Sequence, residues 1–347
     1  MTWIPGTESS LSFTPTWKLE RDWRIGMIGV GNIAQRAHLP GYRMLGLQIV
    51  AAADVSERAL AAAKHNWDIP AVYTDFREMF ANEKLDAVDI TVHERWSDIK
   101  LAAVQAAAAA GVHVLIQKPL AMSYETCVAM VEATRQAGVL MAVNQNARWA
   151  PAFHAAKVLL EAGCIGTPRV VNITARRPPR SGDVLLNFSV HSIDLIRYFV
   201  QREPRRVYAC LTEALNPSQS FINVTLDFGD GLQGCIWDDC AGHLNDDAPW
   251  DFHLAGDQGS IRGSDYFGGV IGQAWVEGWN AQTPEIIVRP RLRYAWQPNA
   301  FANVMGDFLE AIARRRDPQV TGLDNLKTMR VLFAARQSAS TGRPVEL

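Results

Sequence analysis

The sequence predicts an α/β domain built on a parallel sheet, followed by an α+β domain with a large, mostly antiparallel sheet. Three observations carry this reading. From Arg24 to about Asn146, short apolar runs alternate with helical stretches. The first run passes into the first helical stretch through Gly29-Val30-Gly31-Asn32-Ile33-Ala34, a Gly-x-Gly-x-x-Ala spacing. After Asn146, strand-like stretches follow one another with few helices between them.

In chain order, "RIGMIGV" reads as a strand, "NIAQRAHLPGYRML" as helix, "QIVAAAD" as strand and "SERALAAAKHN" as helix. Then come "AVYT" (strand), "DFREMFA" (helix), "DAVDITV" (strand) and "SDIKLAAVQAAAAA" (helix). "HVLIQK" (strand), "SYETCVAMVEATRQA" (helix) and "VLMAVNQN" (strand) complete the series. Apolar runs this short, alternating with helical periods, are strands of a parallel sheet covered on both faces.

The second part opens with the helix "PAFHAAKVLLEAG" and the amphipathic "LLNFSVHSIDLIRYFV". Its strands are "RVVNITARR", "RRVYACLTEAL", "SFINVTLDF", "LQGCIWDDC", "DFHLAG" and "EIIVRP", with Phe228-Gly229-Asp230-Gly231 as a hairpin signal between two of them. Two helices, roughly Asn299–Arg315 and Gly322–Ser340, close the chain, and Pro178–Asp183 reads as a loop at the border of a cleft. The expected division is an extension over residues 1–22, a first domain over 23–145 and a second over 146–347.

Composition narrows the function classes. The chain has 347 residues, enough for two domains at about 150 residues each. A net charge of −2 speaks against a general nucleic-acid or membrane-surface binder. Five cysteines without a Cys-x-x-Cys pair fit neither a disulfide framework nor a zinc site, and no metal is expected. Residues 1–22 lack the features of a signal peptide, and Gly111 and His113 interrupt the most apolar window, so a cytoplasmic protein is expected.

The glycine run has a mechanical reading. Placed between the first strand and first helix, Gly29 permits a tight turn and Gly31 leaves room for a pyrophosphate. Ala34 lets helix and strand pack closely, and the helix N-terminus offers free N–H groups. Asp54 ends the second strand, where its carboxylate can accept from ribose hydroxyls and repel a 2′-phosphate. The first domain is therefore read as a Rossmann dinucleotide-binding domain taking NAD, with Arg58 leaving NADP possible. Asn32, Ile33 and Gln117 are further cofactor-binding candidates.

"VHVLIQKPLAM" poses a separate question, because a hydrophobic strand delivers Lys118 and then Pro119 at its end. Ligands bind at the carboxyl ends of strands in open α/β sheets. A lysine there can bond a reacting hydroxyl and stabilise developing negative charge on oxygen, or it can simply snorkel from the strand end. Neighbouring strand residues point to opposite faces, so Gln117 and Lys118 should not both face a substrate.

Together, "GVGNIA", "AAAD", "QKPLA", "NARWAP", "HSIDL" and the ending "GRPVEL" resemble the glucose–fructose oxidoreductase / inositol dehydrogenase (Gfo/Idh/MocA) family, from about Arg24 to Leu347. The resemblance implies that Lys118 lies beside the nicotinamide. It also implies that the segment Asn187-Phe188-Ser189-Val190-His191, followed by Asp194, matches the family's Asp-x-Gly-x-His helix motif. His191 is then the general base, with Asn187 four residues before it on one helix face and Asp194 as an orienting acid or a salt-bridge partner. A core histidine is the alternative reading of His191.

The chain departs from the family pattern at Gln117 (usually Glu) and Asn187 (usually Asp). The family's Thr-Pro-x-x-x-His is matched only by Thr91, with Val92 and Trp96 differing. His93 and Trp96 are candidates to flank the nicotinamide ribose or to pack at the domain junction, and Arg148 is a candidate to line the substrate cleft.

The expected function is NAD(P)-dependent oxidation of a sugar or polyol hydroxyl to a ketone or lactone. Catalytic candidates are Lys118, His191 and Asn187; substrate contacts add Arg148 and Asp194. An NAD-dependent glycosidase on the same fold and a non-enzymatic dinucleotide sensor stand as alternatives. The open face of the second sheet, which in this family commonly pairs with another subunit, makes a homodimer or homotetramer the expected assembly.

Overall fold

The computed structural model describes residues 11–19, 21–176, 183–213, 220–239 and 249–347. Most of the expected Pro178–Asp183 loop, Arg177, Arg180 and Cys240 lie outside the described residues. The chain divides into two compact units. One comprises Thr16–Asn146 with Phe301–Met329; the other comprises Met1–Pro15, Ala147–Ala300 and Arg330–Leu347.

The first unit carries a six-stranded sheet. Its strands are β1 (Ile25–Ile28), β2 (Ile49–Ala53), β3 (Ala71–Tyr73), β4 (Ala87–Ile90), β5 (His113–Gln117) and β6 (Met141–Asn144). Their order is β3-β2-β1-β4-β5-β6 and every pairing is parallel. This is the doubly wound dinucleotide-binding order. β1, β4 and β6 are buried along their whole length, as two-sided cover requires.

The crossover helices are α2 (Glu57–Trp67), α3 (Phe76–Asn82), α4 (Ser97–Ala109) and α5 (Tyr124–Gln136). Three start on side-chain caps: Ser56 accepts from Ala59 N, Asp75 from Arg77 N and Ser123 from Thr126 N.

The same unit takes in residues 301–329, which the sequence reading placed in the second domain. Val143 N donates to Val320 O at 3.0 Å, and Ala142 forms an antiparallel bridge with Thr321. Trp17, from the expected N-terminal extension, donates its indole N–H to Asn303 at 3.0 Å. Its ring covers Gly306, where an added Cβ would lie 2.5 Å from it.

Among the described residues, the second unit carries nine strands: β7 (Pro168–Arg176), β8 (Arg206–Glu213), β9 (Ser220–Gly229), β10 (Leu232–Asp239), β11 (Trp250–Gly256), β12 (Gly259–Asp265), β13 (Trp275–Asn280), β14 (Ile287–Val288) and β15 (Val345–Glu346). The order is β14-β13-β12-β11-β7-β10-β9-β8-β15, antiparallel except for the β10–β7 pair. The expected hairpin joins β9 to β10, with φ of +74° at Gly229, +53° at Asp230 and +77° at Gly231.

β12, β13 and β15 were not foreseen. In β13 the residues Val276, Glu277 and Gly278 are all buried, so alternation is lost. Glu277 is held by Arg262 and Arg289 instead.

One face of the nine-stranded sheet carries α6 (Pro151–Glu161) and α7 (Val190–Val200) over an aromatic cluster of Phe153, Phe199, Trp250, Phe252 and Trp296. The other face leaves Phe221, Trp237, Trp275 and Trp279 exposed. The last helices are α8 (Asn299–Arg314) and α9 (Gly322–Thr341). Among the described residues, no helix is long and apolar enough to cross a membrane.

Candidate active site

The glycine loop leaves β1 and enters helix at residue 32, which runs through a π-turn at Ala34–His38 into α1 (Leu39–Met44). Four bonds brace the loop. Gly29 N donates to Ala53 O at 2.8 Å, and Val30 N to Asp54 Oδ2 at 2.8 Å. Gln35 Nε2 donates to Val30 O at 2.9 Å, and the Thr91 hydroxyl donates to Gly29 O. Thr91 thus holds the loop from β4.

The two glycines serve different needs. Gly29 has φ +85°, and a Cβ there would lie 3.1 Å from Thr91 Oγ1 and 3.2 Å from Val92 N. Gly31 has open space within 4 Å of where its Cβ would stand. The protein's own packing does not demand a glycine at 31; a ligand approaching the backbone there would. Asn32 is exposed and Ile33 half-buried beside it, and the first N–H groups of a helix have no intrahelical acceptor. These residues fit a dinucleotide pyrophosphate.

Asp54 follows β2, half-buried, with Oδ1 accepting from Ser56 N at 2.8 Å as Oδ2 accepts from Val30 N. The two backbone donors fix the carboxylate, and each oxygen keeps a lone pair for a ribose hydroxyl. His93 caps the short turn Glu94–Trp96; its Nδ1 lies 3.3 Å from Arg95 N and 3.2 Å from Glu94 Oε2, and serves one of them at a time. Trp96 is exposed under the Arg95 guanidinium.

At the end of β5, Lys118 is half-buried and Gln117 buried, and the Lys118–Pro119 peptide is cis. Gln117 turns inward. Its Oε1 accepts from Lys118 N at 2.9 Å, which aims its NH2 at His38 Nε2, 3.4 Å away. Asn144 Nδ2 lies 3.3 Å from the same nitrogen.

From these bonds His38 Nε2 is the acceptor, so Nδ1–H donates to Asp89 Oδ2 at 2.7 Å. Tyr42 donates to that oxygen at 2.5 Å. Burial, reinforced by Asp89, pushes the Tyr42 phenol well above its ordinary range, so it stays a donor. Gln117, a cofactor-binding candidate from the sequence, is the outer end of this buried network. A glutamate there could not donate to a neutral ring nitrogen. The network residues His38, Asp89, Tyr42 and Asn144 were missed because they come from separate segments that only the fold brings together; one carboxylate inside "AVDI" was the available signal.

In the second unit, the segment bearing Asn187 and His191 starts at Asp183, which accepts from Leu186 N at 2.9 Å through Oδ1 and is ion-paired with Arg336. It opens as a π-turn, Leu185–Ser189, with Val190 N reaching Leu185 O, and continues as α7. The regular helix expected from Asn187 to His191 is therefore corrected: the spacing crosses a π-to-α junction. Such turns are frequent at functional sites. Asn187 is half-buried; His191 is buried, edge-on to Trp250 with centroids 5.9 Å apart.

Arg148 and Asp194 meet each other. Nε lies 2.6 Å from Oδ2 and Nη2 2.8 Å from Oδ1, and both side chains are buried. Arg176 pairs with Asp251 at 3.4 Å. Among the described residues, no group of three His, Cys, Asp or Glu side chains is disposed to hold a metal ion.

The family model for the oxidoreductase family with NAD-binding Rossmann fold matches residues 23–145, and the GFO/IDH/MocA C-terminal domain model matches residues 153–262. The chain belongs to the Gfo/Idh/MocA family. Its Gfo/Idh/MocA relatives include a D-apiose dehydrogenase from Paraburkholderia graminis, 26% identical over 99% of this chain and 95% of the relative. A myo-inositol 2-dehydrogenase from Thermotoga maritima is 31% identical over 54% of this chain and 57% of the relative. The fold is shared with an Agrobacterium radiobacter oxidoreductase solved with NAD+, L-tartaric acid and magnesium, at a TM-score of 0.81 and 22% identity over 94% of this chain and 98% of that one. The N-terminal domain is thus the NAD-binding Rossmann fold of a Gfo/Idh/MocA oxidoreductase.

Proposed function

We propose that the protein is a dehydrogenase that oxidises a CH–OH group of a neutral sugar or polyol, with NAD preferred over NADP. The observation that carries this is the braced loop with open space over Gly31 and a fixed Asp54 carboxylate at the end of β2. A 2′-phosphate would meet that carboxylate's charge, which supports the choice of NAD. Bound NAD supplies the acceptor for a hydride from the substrate carbon.

The chain's own residues do the rest. Lys118 bonds the substrate hydroxyl and stabilises negative charge on its oxygen. His191 takes the hydroxyl proton. Asn187 orients substrate through its amide but offers no charge to an imidazolium. Arg148 and Asp194 position α7 rather than bind substrate, since each already occupies the other. With Arg176 also paired, these described cations favour hydroxyl-rich over phosphorylated substrates. The relatives named for D-apiose and myo-inositol support the same class. The exposed aromatic face of the nine-stranded sheet supports assembly with a second copy, and the four free cysteines among the described residues support a reducing, cytoplasmic setting.

The test is a screen of myo-inositol, D-apiose, common aldoses and simple glycosides with NAD and with NADP, followed by nicotinamide absorbance and product analysis. Reduced NAD released in step with oxidised substrate is expected. Glycoside cleavage without net reduced NAD favours the glycosidase reading. A protein that binds NADH but oxidises nothing favours the sensor.

A further inference from the structure

Lys100 lies on α4, on the stripe it shares with Ala103, Val104 and Ala107, all buried. By spacing this is a core position, yet it holds a lysine with no exposed surface. Its Nζ donates to Gln117 O at 2.8 Å and to Pro119 O at 2.6 Å. These are the carbonyls immediately before and after Lys118.

We infer that Lys100 is a positioning residue whose buried amine clamps the backbone on both sides of Lys118 and so fixes where that side chain is presented. The clamp works with a second brace. Gln117 Oε1 holds the Lys118 N–H while its NH2 is tied to His38. One residue's backbone is therefore gripped at its own N–H and at both flanking carbonyls.

A lysine is a costly way to satisfy two carbonyls, because burial penalises its charge. Burial brings the Lys100 ammonium down to about 7, opposed by the Glu94 carboxylate and assisted by the Lys118 charge. The neutral amine still has two N–H donors, so both carbonyls stay bonded whichever form is present. The clamp does not loosen when the amine loses its proton.

This inference rests on the proposed role of Lys118, and the experiment separates the two. Lys118→Ala is measured first; full turnover would bring down the role of Lys118 itself. Lys100→Met keeps the length of the side chain and removes both donors. It should lower kcat by about 10–100-fold, the scale of a misplaced catalytic group, with the affinity for NADH unchanged. In the Lys118→Ala background it should lower kcat no further.

Hydrogen exchange across residues 115–121 gives a reading free of any substrate. It should speed up in Lys100→Met and less in Lys100→Gln, which retains donor capacity. Wild-type turnover or unchanged exchange in a folded Lys100→Met overturns the inference, as does an additive loss with Lys118→Ala. Failure of both variants to fold would make Lys100 a residue of the fold alone and overturn it too.

Discussion

Arg148 and Asp194 bind each other through two hydrogen bonds of 2.6 and 2.8 Å, with side-chain exposures of 5% and 0%. Removing one partner strands the other's charge where water cannot reach it. Asp194→Asn should cost about 3–5 kcal/mol, measured by urea unfolding. Arg148→Met with Asp194→Leu should recover most of that, because neither charge of the pair remains and the nearby Arg197 keeps its own partner, Glu203, at 2.7 Å. Equal losses in the single and double variants would show that the pair is not a closed unit.

The two loop glycines should separate folding from binding. Gly31→Ala should leave the melting temperature unchanged and weaken NADH binding at least about tenfold, or about 1.4 kcal/mol. Gly29→Ala must hold φ +85°, so it should lose about 1–2 kcal/mol of stability. Fluorescence titration and thermal melts read both. Normal NADH affinity in Gly31→Ala would remove the pyrophosphate from that space.

His154 sets an acid limit. It stacks on Trp149 at 5.6 Å, and burial lowers its imidazole to about 4. Between about 6.5 and 4 the unfolded chain takes up a proton that the native ring refuses, so stability falls as pH falls through that window. The loss is on the order of 2–3 kcal/mol by pH 4. Asp265, raised to about 7 by burial, has the opposite slope. The difference between His154→Phe and wild type isolates the histidine: it should be flat above pH 7 and favour the variant progressively in acid. A pH-independent difference would place the ring in a solvated setting.

Asn187→Asp tests the helix assignment. A carboxylate near His191 favours its protonated form, so the acidic limb of the kcat/KM profile should move to higher pH. Asn187→Leu should lower activity without lowering the melting temperature. An unmoved limb together with full activity in Asn187→Leu would put residue 187 outside the site.

Trp237 is 57% exposed on β10, in register with Asn223 and, beyond it, Cys210. If a second copy covers this face, Trp237→Asp should convert the oligomer into smaller species in light scattering. A wild-type protein that is already monomeric at micromolar concentration would show that this face is not covered by a second copy.

The parallel sheet and its loop were legible because local signals carry them. Apolar runs, the glycine spacing and Asp54 all lie within about thirty residues, the span of one βαβ unit. The clamp on Lys118 was not legible. Lys100 sits inside "SDIKLAAVQAAAAA", and only the fold reveals that its amine meets two carbonyls from another segment. The regular helix read through Asn187 also failed in detail, since hydrophobic spacing does not resolve a π-turn of five residues. β13 was missed because its buried acid, Glu277, is tied to arginines on β12 and beyond β14.

The pairing of β6 with Val320 and Thr321 governs how this protein can be dissected. A fragment ending near residue 146 would uncover the edge of β6 and strip away α8, leaving an open strand ready to pair with another chain. A stand-alone cofactor-binding module therefore has to be spliced from two stretches, 16–146 and 301–329. Chimeras that exchange halves between relatives need junctions near residues 146 and 300 and a third within α9, near 329, because a single crossover would leave β6 paired with a foreign segment.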